Sequence, residues 1–588
     1  MRLTRRHGLL LLPWFLMPSI AHAGIVLHVD GVDENLGNAV VAGVELSQYA
    51  KRDVTAAQVR RLYEKAPDEV QAALRPYGYY EATATGDLKQ VGNDWQVTLH
   101  VVTGTPVQVT AVNVEVDQDA AKLPAIRRAL RGVENLKGKV LNDGVYDGAR
   151  DTVSGALTAT GFLDARLVTR TVEVNRAEHS AVVNLEWDAG RRYRYGHIVF
   201  KNSQFRDGFL DRYVPFKSGD YFSQNQLLEL QQALNGADYF AVVNVIPDTD
   251  NAKDGTIDIA VELAPAKRTI YTGGPFFGTD TGAGLRGGIE KRWINDRGHK
   301  WKNELVLAQR LKTLSTLYQI PMPGPNQRSF NFGANFRDAD TVTSQSRTLQ
   351  LVANETRLWH GWQRTIGINA LSGTFTVGKR GGEGDNAEGL ERGRSTLLYP
   401  EITLSRKKGD NPTFVRNGWS LTVTARTTAG PLLSDASFSQ VIGDVKWIKS
   451  FWGRNRLILR GSAGKLWTSD FSDLPPQLRF FAGGDRSVRG YDYQSIGPRN
   501  AYDRVIGGEG LLVGSTEVEH YFTRNWGMAA FVDAGNAFTG TDYSPRVGAG
   551  LGVRWLSPVG MIRADIAVPV GDKNEHGIHL HVVIGPDL

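Results

Sequence analysis

The stretch Trp419-Ser420-Leu421-Thr422-Val423-Thr424-Ala425-Arg426 alternates strictly between apolar and polar side chains. Successive side chains of a β-strand point to opposite faces, so this stretch predicts a strand with one apolar and one polar face. The pattern recurs in four later segments, which are 457–463, 549–555, 562–568 and 578–584. Gly, Asp, Asn and Pro residues typical of turns separate such segments. The second half of the chain is therefore predicted to consist of antiparallel strands.

The polar faces of these strands carry charges, among them Arg456, Arg460, Arg554 and Asp565. In lipid each charge would cost several kcal/mol, so this face is expected to line an aqueous or protein-filled interior. Single strands leave a soluble β-sandwich open as an alternative. The length of the alternating region and tryptophans near strand ends favour a membrane barrel. At about twenty residues per strand and turn, residues 267–588 would form a transmembrane antiparallel β-barrel of about sixteen strands.

The N-terminus has the composition of a secretory signal. Arg2, Arg5 and Arg6 precede the apolar run 9–20, and Ala21-His22-Ala23 has the small-x-small pattern of a cleavage site. This run is shorter than the roughly twenty residues of a spanning helix. We therefore expect a signal peptide at residues 1–23 and an exported protein. The chain contains no cysteine, so disulfides are excluded. Its net charge of +6 is spread along the chain and gives nucleic-acid binding little support.

One order of elements recurs three times between Gly24 and about Lys267. It consists of a short strand, a helical stretch, aromatic residues and two alternating strands. The repeats are marked by Gly78-Tyr79-Tyr80-Glu81-Ala82, Gly161-Phe162-Leu163-Asp164-Ala165 and Asp238-Tyr239-Phe240-Ala241-Val242. Each copy is long enough to bury its own helices. We predict three small α+β domains, at residues 24–104, 105–190 and 191–266.

These repeats resemble polypeptide-transport-associated (POTRA) domains. A second resemblance lies in the long connection 480–491, which contains Val488, Arg489, Gly490 and Tyr491. This connection resembles the loop that folds back into the barrel lumen in the BamA/TamA-type outer-membrane assembly superfamily. The resemblance implies three POTRA-like domains in the periplasm and a barrel in the outer membrane of a Gram-negative bacterium.

An arginine carried into a lumen needs acidic or aromatic partners, because its five donors cannot stay unpaired in a crowded interior. In 531–535 the alternation places Phe531 and Asp533 on the inner face, where ring and carboxylate can both engage Arg489. The resemblance implies the same pairing within a Phe-x-Asp-x-Gly pattern that ends at Gly535. We therefore expect Phe531, Asp533 and Gly535 to be the inner-wall partners of the loop.

The family resemblance implies insertion or translocation of other outer-membrane proteins. A count of three POTRA-like domains favours the TamA-type branch, the outer-membrane subunits of translocation and assembly modules. That branch implies autotransporters and other unfolded outer-membrane proteins as clients, a TamB-like inner-membrane-anchored protein as partner, and outer-membrane lipid as surroundings. The edge strands of the POTRA-like domains would accept extended client segments by β-augmentation, unless these domains are only rigid spacers. No cofactor is implied.

A weak seam between the first and last barrel strands is the expected route of insertion. Gly273, Gly274 and Pro275 are expected to cut the first strand short, because glycine loosens a strand and proline removes a ladder donor. The other side of the seam would begin at Gly577 and Ile578. Such a seam can open sideways and template a client strand without covalent chemistry.

Enzymatic and metal sites find no support in the sequence. No nucleophile elbow, zinc-protease helix or phosphate loop is present, so we expect no enzyme. His579 and His581 share a strand face, but no carboxylate or cysteine stands beside them in the sequence, so no metal site is expected. The competing interpretation is a transport channel, either a two-partner-type secretion pore or a general channel.

Overall fold

The computed structural model describes residues 24–585 apart from 51, 93, 253, 323–327, 381–387, 412–413, 429–432, 558–559 and 573–574. The expected signal peptide lies outside the described residues. The described chain forms two compact units. One unit contains the residues up to Ile198 with Phe216–Leu228 and Pro247–Ile259, and the other contains Val199–Pro215, Glu229–Ile246 and the residues from Ala260 onward. In the described ranges no helix is both long and apolar enough to cross a bilayer.

The first N-terminal domain packs two helices on a three-stranded sheet. Its elements are β1 (Ile25–Asp30), α1 (Glu34–Gly43), α2 (Ala56–Leu74), β2 (Thr83–Val91) and β3 (Asp94–Val102). Both helices begin at a side-chain cap, since Asp33 accepts from Leu36 N and Thr55 accepts from Gln58 N. The sheet order is β1-β3-β2, with β1 parallel to β3. One face of each helix and alternate residues of β3 form the core.

The second domain repeats this arrangement. Its elements are β4 (Gln108–Val116), α3 (Gln118–Ala121), α4 (Pro124–Glu134), α5 (Asp143–Ala159), β5 (Arg166–Asn175) and β6 (Ser180–Asp188). The sheet order β4-β6-β5 again places the last strand in the centre, parallel to the first. Val183, Leu185 and Trp187 of the central strand are buried against the helices.

The third domain has the same order with one helix among its described residues. Its elements are β7 (Arg194–Lys201), α6 (Gln224–Gly236), β8 (Phe240–Pro247) and β9 (Thr256–Pro265), with sheet order β7-β9-β8. The prediction of three α+β domains ahead of a barrel is thereby confirmed. The outer edges of β4 and β7 are partly covered by backbone bridges, Gln108↔Val140 and Arg194↔Tyr221, whereas β2, β5 and β8 pair with one strand only among the described residues.

The remainder of the described chain is one sixteen-stranded antiparallel sheet in which each strand pairs with the next along the sequence. This confirms the predicted membrane barrel of about sixteen strands. The strands are β10 (Thr269–Gly278), β11 (Gly282–Lys291), β12 (Lys300–Ala308), β13 (Leu311–Pro321), β14 (Ser329–Asp340), β15 (Ser344–Trp359), β16 (Trp362–Val377), β17 (Glu391–Gly409), β18 (Asn417–Thr427), β19 (Phe438–Phe451), β20 (Asn455–Thr468), β21 (Gly510–Tyr521), β22 (Trp526–Phe538), β23 (Arg546–Ser557), β24 (Gly560–Val570) and β25 (His579–Gly585).

The two faces of the barrel wall differ as the alternation predicts. In β22 the apolar Met528 and Val532 are exposed to the outside, whereas Phe531 and Asp533 between and beside them are buried within. Tryptophans lie at the ends of several strands on the side where β10 follows the third domain, and Trp526 stacks on Trp555 with ring centroids 5.3 Å apart. Rings at this level are typical of a membrane–water boundary.

The expectation that Gly273, Gly274 and Pro275 shorten the first barrel strand is wrong. β10 runs through all three residues and pairs with β11 from Thr269↔Lys291 to Gly278↔Gly282. Proline is tolerated here because β10 has a hydrogen-bonded partner on one side only, so the missing N–H of an edge strand leaves no gap in a ladder.

Candidate functional site

A long connection between β20 and β21 packs inside the barrel. We call residues 469–509 the lumen loop. Apart from two short 3-10 turns, Phe471–Asp473 and Pro476–Leu478, this loop is irregular, yet many of its side chains are buried. Its first part is held by Arg479, which pairs with Glu391 of β17 at 3.2 Å and donates to Leu474 O and Ile506 O.

The structure brings Arg489 of the lumen loop into contact with both of its expected side-chain partners. Its Nε lies 2.7 Å from Asp533 Oδ2, and its guanidinium carbon lies 3.3 Å from the centroid of the Phe531 ring. Two further carboxylates join the pair, because Nη1 lies 2.8 Å from both Glu517 Oε2 and Asp565 Oδ2. Arg489 is 4% exposed and Asp533 is fully buried.

The contacts of Arg489 belong to a larger set of ion pairs on the inner faces of β20 to β24. Arg554 pairs with Glu517 at 2.6 Å, Glu519 at 2.9 Å and Asp565 at 2.5 Å. Arg456 pairs with Glu519 through its Nε at 2.8 Å, and Arg460 lies 3.8 Å from Asp533. We call these residues the wall network, and its members are Arg456, Arg460, Arg489, Glu517, Glu519, Asp533, Arg554 and Asp565.

The wall network contains equal numbers of arginines and carboxylates, which is what burial demands. An uncompensated buried charge costs several kcal/mol, and removal of one partner of a buried pair typically destabilises a protein by about 3–5 kcal/mol. The network therefore makes the position of Arg489 depend on three strands at once, β21, β22 and β24.

The other residues of the loop motif are fixed by close packing. Val488 is fully buried, and the Tyr491 hydroxyl lies 3.2 Å from Asp572 Oδ2. Gly490 has a φ of 93°, and a Cβ on it would lie 2.9 Å from the Val568 backbone. On the facing strand, a Cβ on Gly548 would lie 1.8 Å from Arg489 O. Glycines at both positions allow the loop backbone to lie directly on the wall.

Gly535 lies on the inner face of β22 together with Phe531 and Asp533. It pairs with Val513 and Arg546 of the neighbouring strands, and a Cβ on it would lie 2.7 Å from Leu512 O and Val513 Cα. Its small size therefore serves the close approach of β21 to β22. Its role as an inner-wall partner of the loop stays a prediction.

The first and last barrel strands lie next to each other without a ladder. Among the described residues β10 pairs only with β11 and β25 only with β24. The described hydrogen bond across this seam runs from Val582 N to Thr279 Oγ1 at 3.4 Å. Gly273 and Gly274 lie in the middle of β10, whereas Gly577 and Ile578 precede β25, so the structure does not bring these two pairs together.

A polar junction joins the seam to the lumen loop. Asp485 Oδ1 accepts from Thr279 Oγ1 at 2.8 Å and lies 2.6 Å from His581 Nδ1. His581 Nε2 accepts from Gly490 N at 3.0 Å. We call these four residues the clasp. No carboxylate stands beside His579 and His581 in the sequence, but the loop brings Asp485 to one ring and places Asp492 3.5 Å from the other.

Asp280 lies next to the clasp, so that three residues with potential metal-ligand atoms come together. Ligand atoms of Asp280, Asp485 and His581 lie within 4.8 Å of one another. However, His581 Nε2 accepts a hydrogen bond from a backbone N–H, so the proton of the neutral ring is on Nδ1, the nitrogen that faces Asp485. This arrangement satisfies the ring by hydrogen bonds and leaves it no lone pair for a metal. Burial and then repulsion by Asp485 raise the pKa of Asp280, in the turn after β10, to about 7.

Sequence reasoning missed several of the residues that hold the loop. Glu517 and Glu519 were not singled out, although Ser515, Glu517 and Glu519 alternate with their neighbours on one face of β21. That alternation is the signal that could have found them. Asp485 and His581 are separated by most of the final third of the barrel, and no local pattern in the sequence connects them.

A barrel filled by its own buried loop and preceded by three POTRA-like domains defines an outer-membrane protein with its N-terminal domains in the periplasm. Comparison with known families agrees. Residues 295–586 match the Omp85 superfamily domain, residues 26–103 match domain 1 of the TamA-type POTRA domains, and residues 193–265 match the POTRA family described as surface antigen variable number repeat. The chain belongs to the BamA/TamA-type outer-membrane assembly superfamily.

Individual relatives are distant. The chain is 21% identical over 397 residues to the outer membrane protein assembly factor BamA of Nitratidesulfovibrio vulgaris, which covers 65% of this chain and 49% of that protein. It is 24% identical over 329 residues to the human sorting and assembly machinery component 50 homolog, covering 50% of this chain and 65% of that protein. The chain thus spans about half of the first relative and just under two thirds of the second.

The fold likeness extends to a solved structure. The crystal structure of BamA from Haemophilus ducreyi lacking POTRA domains 1-3 superposes with a TM-score of 0.65 and 16% sequence identity. The match covers 81% of this chain and 99% of that one. At this identity the likeness concerns the fold.

Proposed function

We propose that this protein assists the insertion of other outer-membrane proteins through the seam between β10 and β25. The observation that carries the proposal is the missing ladder at this seam in the described part of the barrel, where every other neighbouring pair of strands is joined by one. Strand edges of this kind present backbone donors and acceptors that an incoming strand can satisfy. A client strand that pairs there enters the bilayer with its polar groups already bonded.

The energetics favour this seam over any other line of opening. Separating β16 from β17 would break a ladder that runs from Gln363↔Ser405 to Val377↔Glu391. Each broken backbone bond would leave groups unsatisfied in hydrocarbon, at a cost of several kcal/mol per group. Separating β10 from β25 breaks no ladder among the described residues, so most of this cost does not arise.

The placement of the lumen loop supports a lateral route. The loop reaches from Glu391 of β17 to the wall network, and Arg479 and Arg489 are buried in these contacts. A secretion pore or general channel needs a lumen through which solute can pass, and this loop occupies part of that lumen.

Clients and partner follow from the family branch. The TamA-type match of the first domain and the presence of three POTRA-like domains support autotransporters as clients and a TamB-like inner-membrane-anchored protein as partner. Among the described residues β2, β5 and β8 each pair with one strand only, and their outer edges can hold an extended client segment by β-augmentation. The proposed function needs no covalent step and no cofactor.

A reversible disulfide across the seam tests the proposal. Because the chain has no cysteine, Thr279→Cys with Val582→Cys places two cysteines on residues that contact across the seam, and formation of the disulfide on oxidation is verified by its gel-mobility shift before the assay. Insertion of an unfolded autotransporter barrel into liposomes is then measured for the oxidised and the reduced protein. We expect oxidation to abolish the acceleration of insertion and reduction to restore it.

The matched control locks a pair of strands that should never part. Ser372 and Thr396 stand opposite each other in β16 and β17, with hydroxyl oxygens 3.0 Å apart. A disulfide between cysteines at these positions should leave insertion unchanged. Equal insertion by the oxidised and reduced seam variants, together with steady ion conductance, would refute the lateral route and favour the channel.

A further inference from the structure

The clasp joins three segments that are far apart in the sequence. Thr279 follows β10, Asp485 and Gly490 belong to the lumen loop, and His581 lies in β25. The carboxylate oxygen of Asp485 accepts from Thr279 Oγ1 at 2.8 Å and pairs with His581 Nδ1 at 2.6 Å. The loop therefore connects the two strands that the missing ladder leaves apart.

The two ring nitrogens of His581 have different partners in this junction. Its Nδ1–H donates to Asp485 while its Nε2 accepts from Gly490 N, so the ring needs one donor and one acceptor on opposite sides. Neutral imidazole provides both. His581 is 4% exposed and the Asp485 side chain 8%, so water competes little for these bonds. Hydrogen bonds to a buried charged group are the stronger ones in proteins.

The position of His581 also links the clasp to the wall network. His581 stands opposite Asp565 in the ladder between β24 and β25, and Asp565 pairs with Arg489 at 2.8 Å. Gly490, which donates to His581, directly follows Arg489 in the chain. The lumen loop is thus anchored to β21–β24 by Arg489 and reaches the seam through Asp485.

We propose that His581 is a positioning residue for the seam: by holding Asp485 it keeps the turn after β10 against β25, and the seam opens when this bond is released. The inference rests on the proposed lateral route and adds the residue that regulates it. The wall network need not break for opening, because Arg489 makes its ion pairs with β21, β22 and β24 alone.

The test measures seam opening separately from insertion. Hydrogen–deuterium exchange of β10 and β25 amides is followed in the full-length protein in nanodiscs, with β16 and β17 as the internal reference. His581→Ala removes the donor and the acceptor. We expect exchange at the seam to rise by about ten- to a hundredfold, the effect of one to two charge-assisted hydrogen bonds, while the reference strands do not change.

Two further variants separate positioning from general damage. His581→Asn keeps a donor near Nδ1 and loses the acceptor for Gly490 N, so its exchange should fall between wild type and His581→Ala. Asp485→Ala should also raise exchange at the seam, and the double variant should show less than the sum of the two single effects, because each single variant already loses the bond that the two residues share. The control is His579→Ala, on the same face of β25 but paired with Asp492 at 3.5 Å, which should exchange like wild type.

The outcomes distinguish the clasp from the proposed function. Faster seam exchange with partial rescue by asparagine supports the clasp, whatever the insertion rate. If seam exchange rises but insertion into liposomes does not respond, the clasp stands and the lateral route is refuted. Unchanged seam exchange in His581→Ala, additive effects in the double variant, or an equal effect of His579→Ala would each overturn the clasp.

Discussion

The barrel wall around Arg489 and the seam between β10 and β25 are built on opposite principles. The wall combines continuous ladders with a buried network of ion pairs from β20 to β24. The seam has no ladder among its described residues and relies on a few side-chain hydrogen bonds. One barrel therefore contains a part joined by ladders and ion pairs and a part joined by few bonds, and the lumen loop contacts both.

Loss of Arg489 should have the largest effect on stability, because this residue belongs to the wall network. Arg489→Ala leaves Asp533, Glu517 and Asp565 buried with less compensating charge. We expect the free energy of unfolding to fall by about 3–5 kcal/mol and the lumen loop to become sensitive to protease. Urea unfolding in detergent and limited proteolysis measure these effects. Arg486→Ala, an exposed arginine of the same loop, is the control and should change neither.

Crowding the wall should have the next largest effect. In Gly548→Ala the new methyl group would lie 1.8 Å from Arg489 O, so the loop must move away from β23. Overpacking of this kind costs about 1–3 kcal/mol. The matched control is Gly514→Ala in β21, where no heavy atom lies within 4 Å of the added Cβ. A loss of stability in both variants, measured by thermal unfolding, would show a general intolerance of strand glycines rather than a close approach of the loop.

Weakening the seam should have a smaller effect that stays local. Thr279→Val removes the hydroxyl that donates to Asp485 and accepts from Val582 N. We expect amide exchange in β10 to rise by up to about tenfold, the effect of one hydrogen bond, with no change in β16. Thr281→Val in the same turn is the control. A rise throughout the barrel would contradict the division into strong and weak parts.

The smallest effect concerns the pH dependence of the seam. The folded-state pKa of Asp280, about 7, lies above its ordinary value of 3.8 because of burial and the charge of Asp485. A group raised in this way stabilises the folded turn below its unfolded pKa, and this contribution is lost as pH rises toward 7. The turn after β10 should therefore loosen between about pH 4 and 7 relative to Asp280→Asn. Exchange rates of β10, compared between the two proteins at each pH, should converge at the acidic end, and a constant ratio would exclude this role of Asp280.

The sequence predicts the parts of this fold that depend on local periodicity. Alternation within β18 and β23 identifies strands with one lipid-facing side, and the same alternation places Phe531 and Asp533 on the inner face. Arg489 needs a charged partner wherever it is buried, so its approach to an inner carboxylate follows from its chemistry.

Features that depend on register across the barrel are not visible in this way. The meeting of Asp485 with His581 depends on the path of an irregular loop, to which no period applies. The strand-breaking effect expected at Pro275 did not occur, because only the structure shows that β10 is an edge with one ladder to satisfy. The close approach of β21 to β22 at Gly535 also depends on register, which no local pattern shows.

The order of the wall network along the chain has a consequence for how the protein itself matures. Arg489 precedes Glu517, Asp533 and Asp565, so the loop leaves the ribosome and enters the periplasm before any of the carboxylates that receive it. It can dock only after β21, β22 and β24 have found their places, and until then its charge keeps it in water. Docking of the loop thus depends on three strands that follow it in the chain.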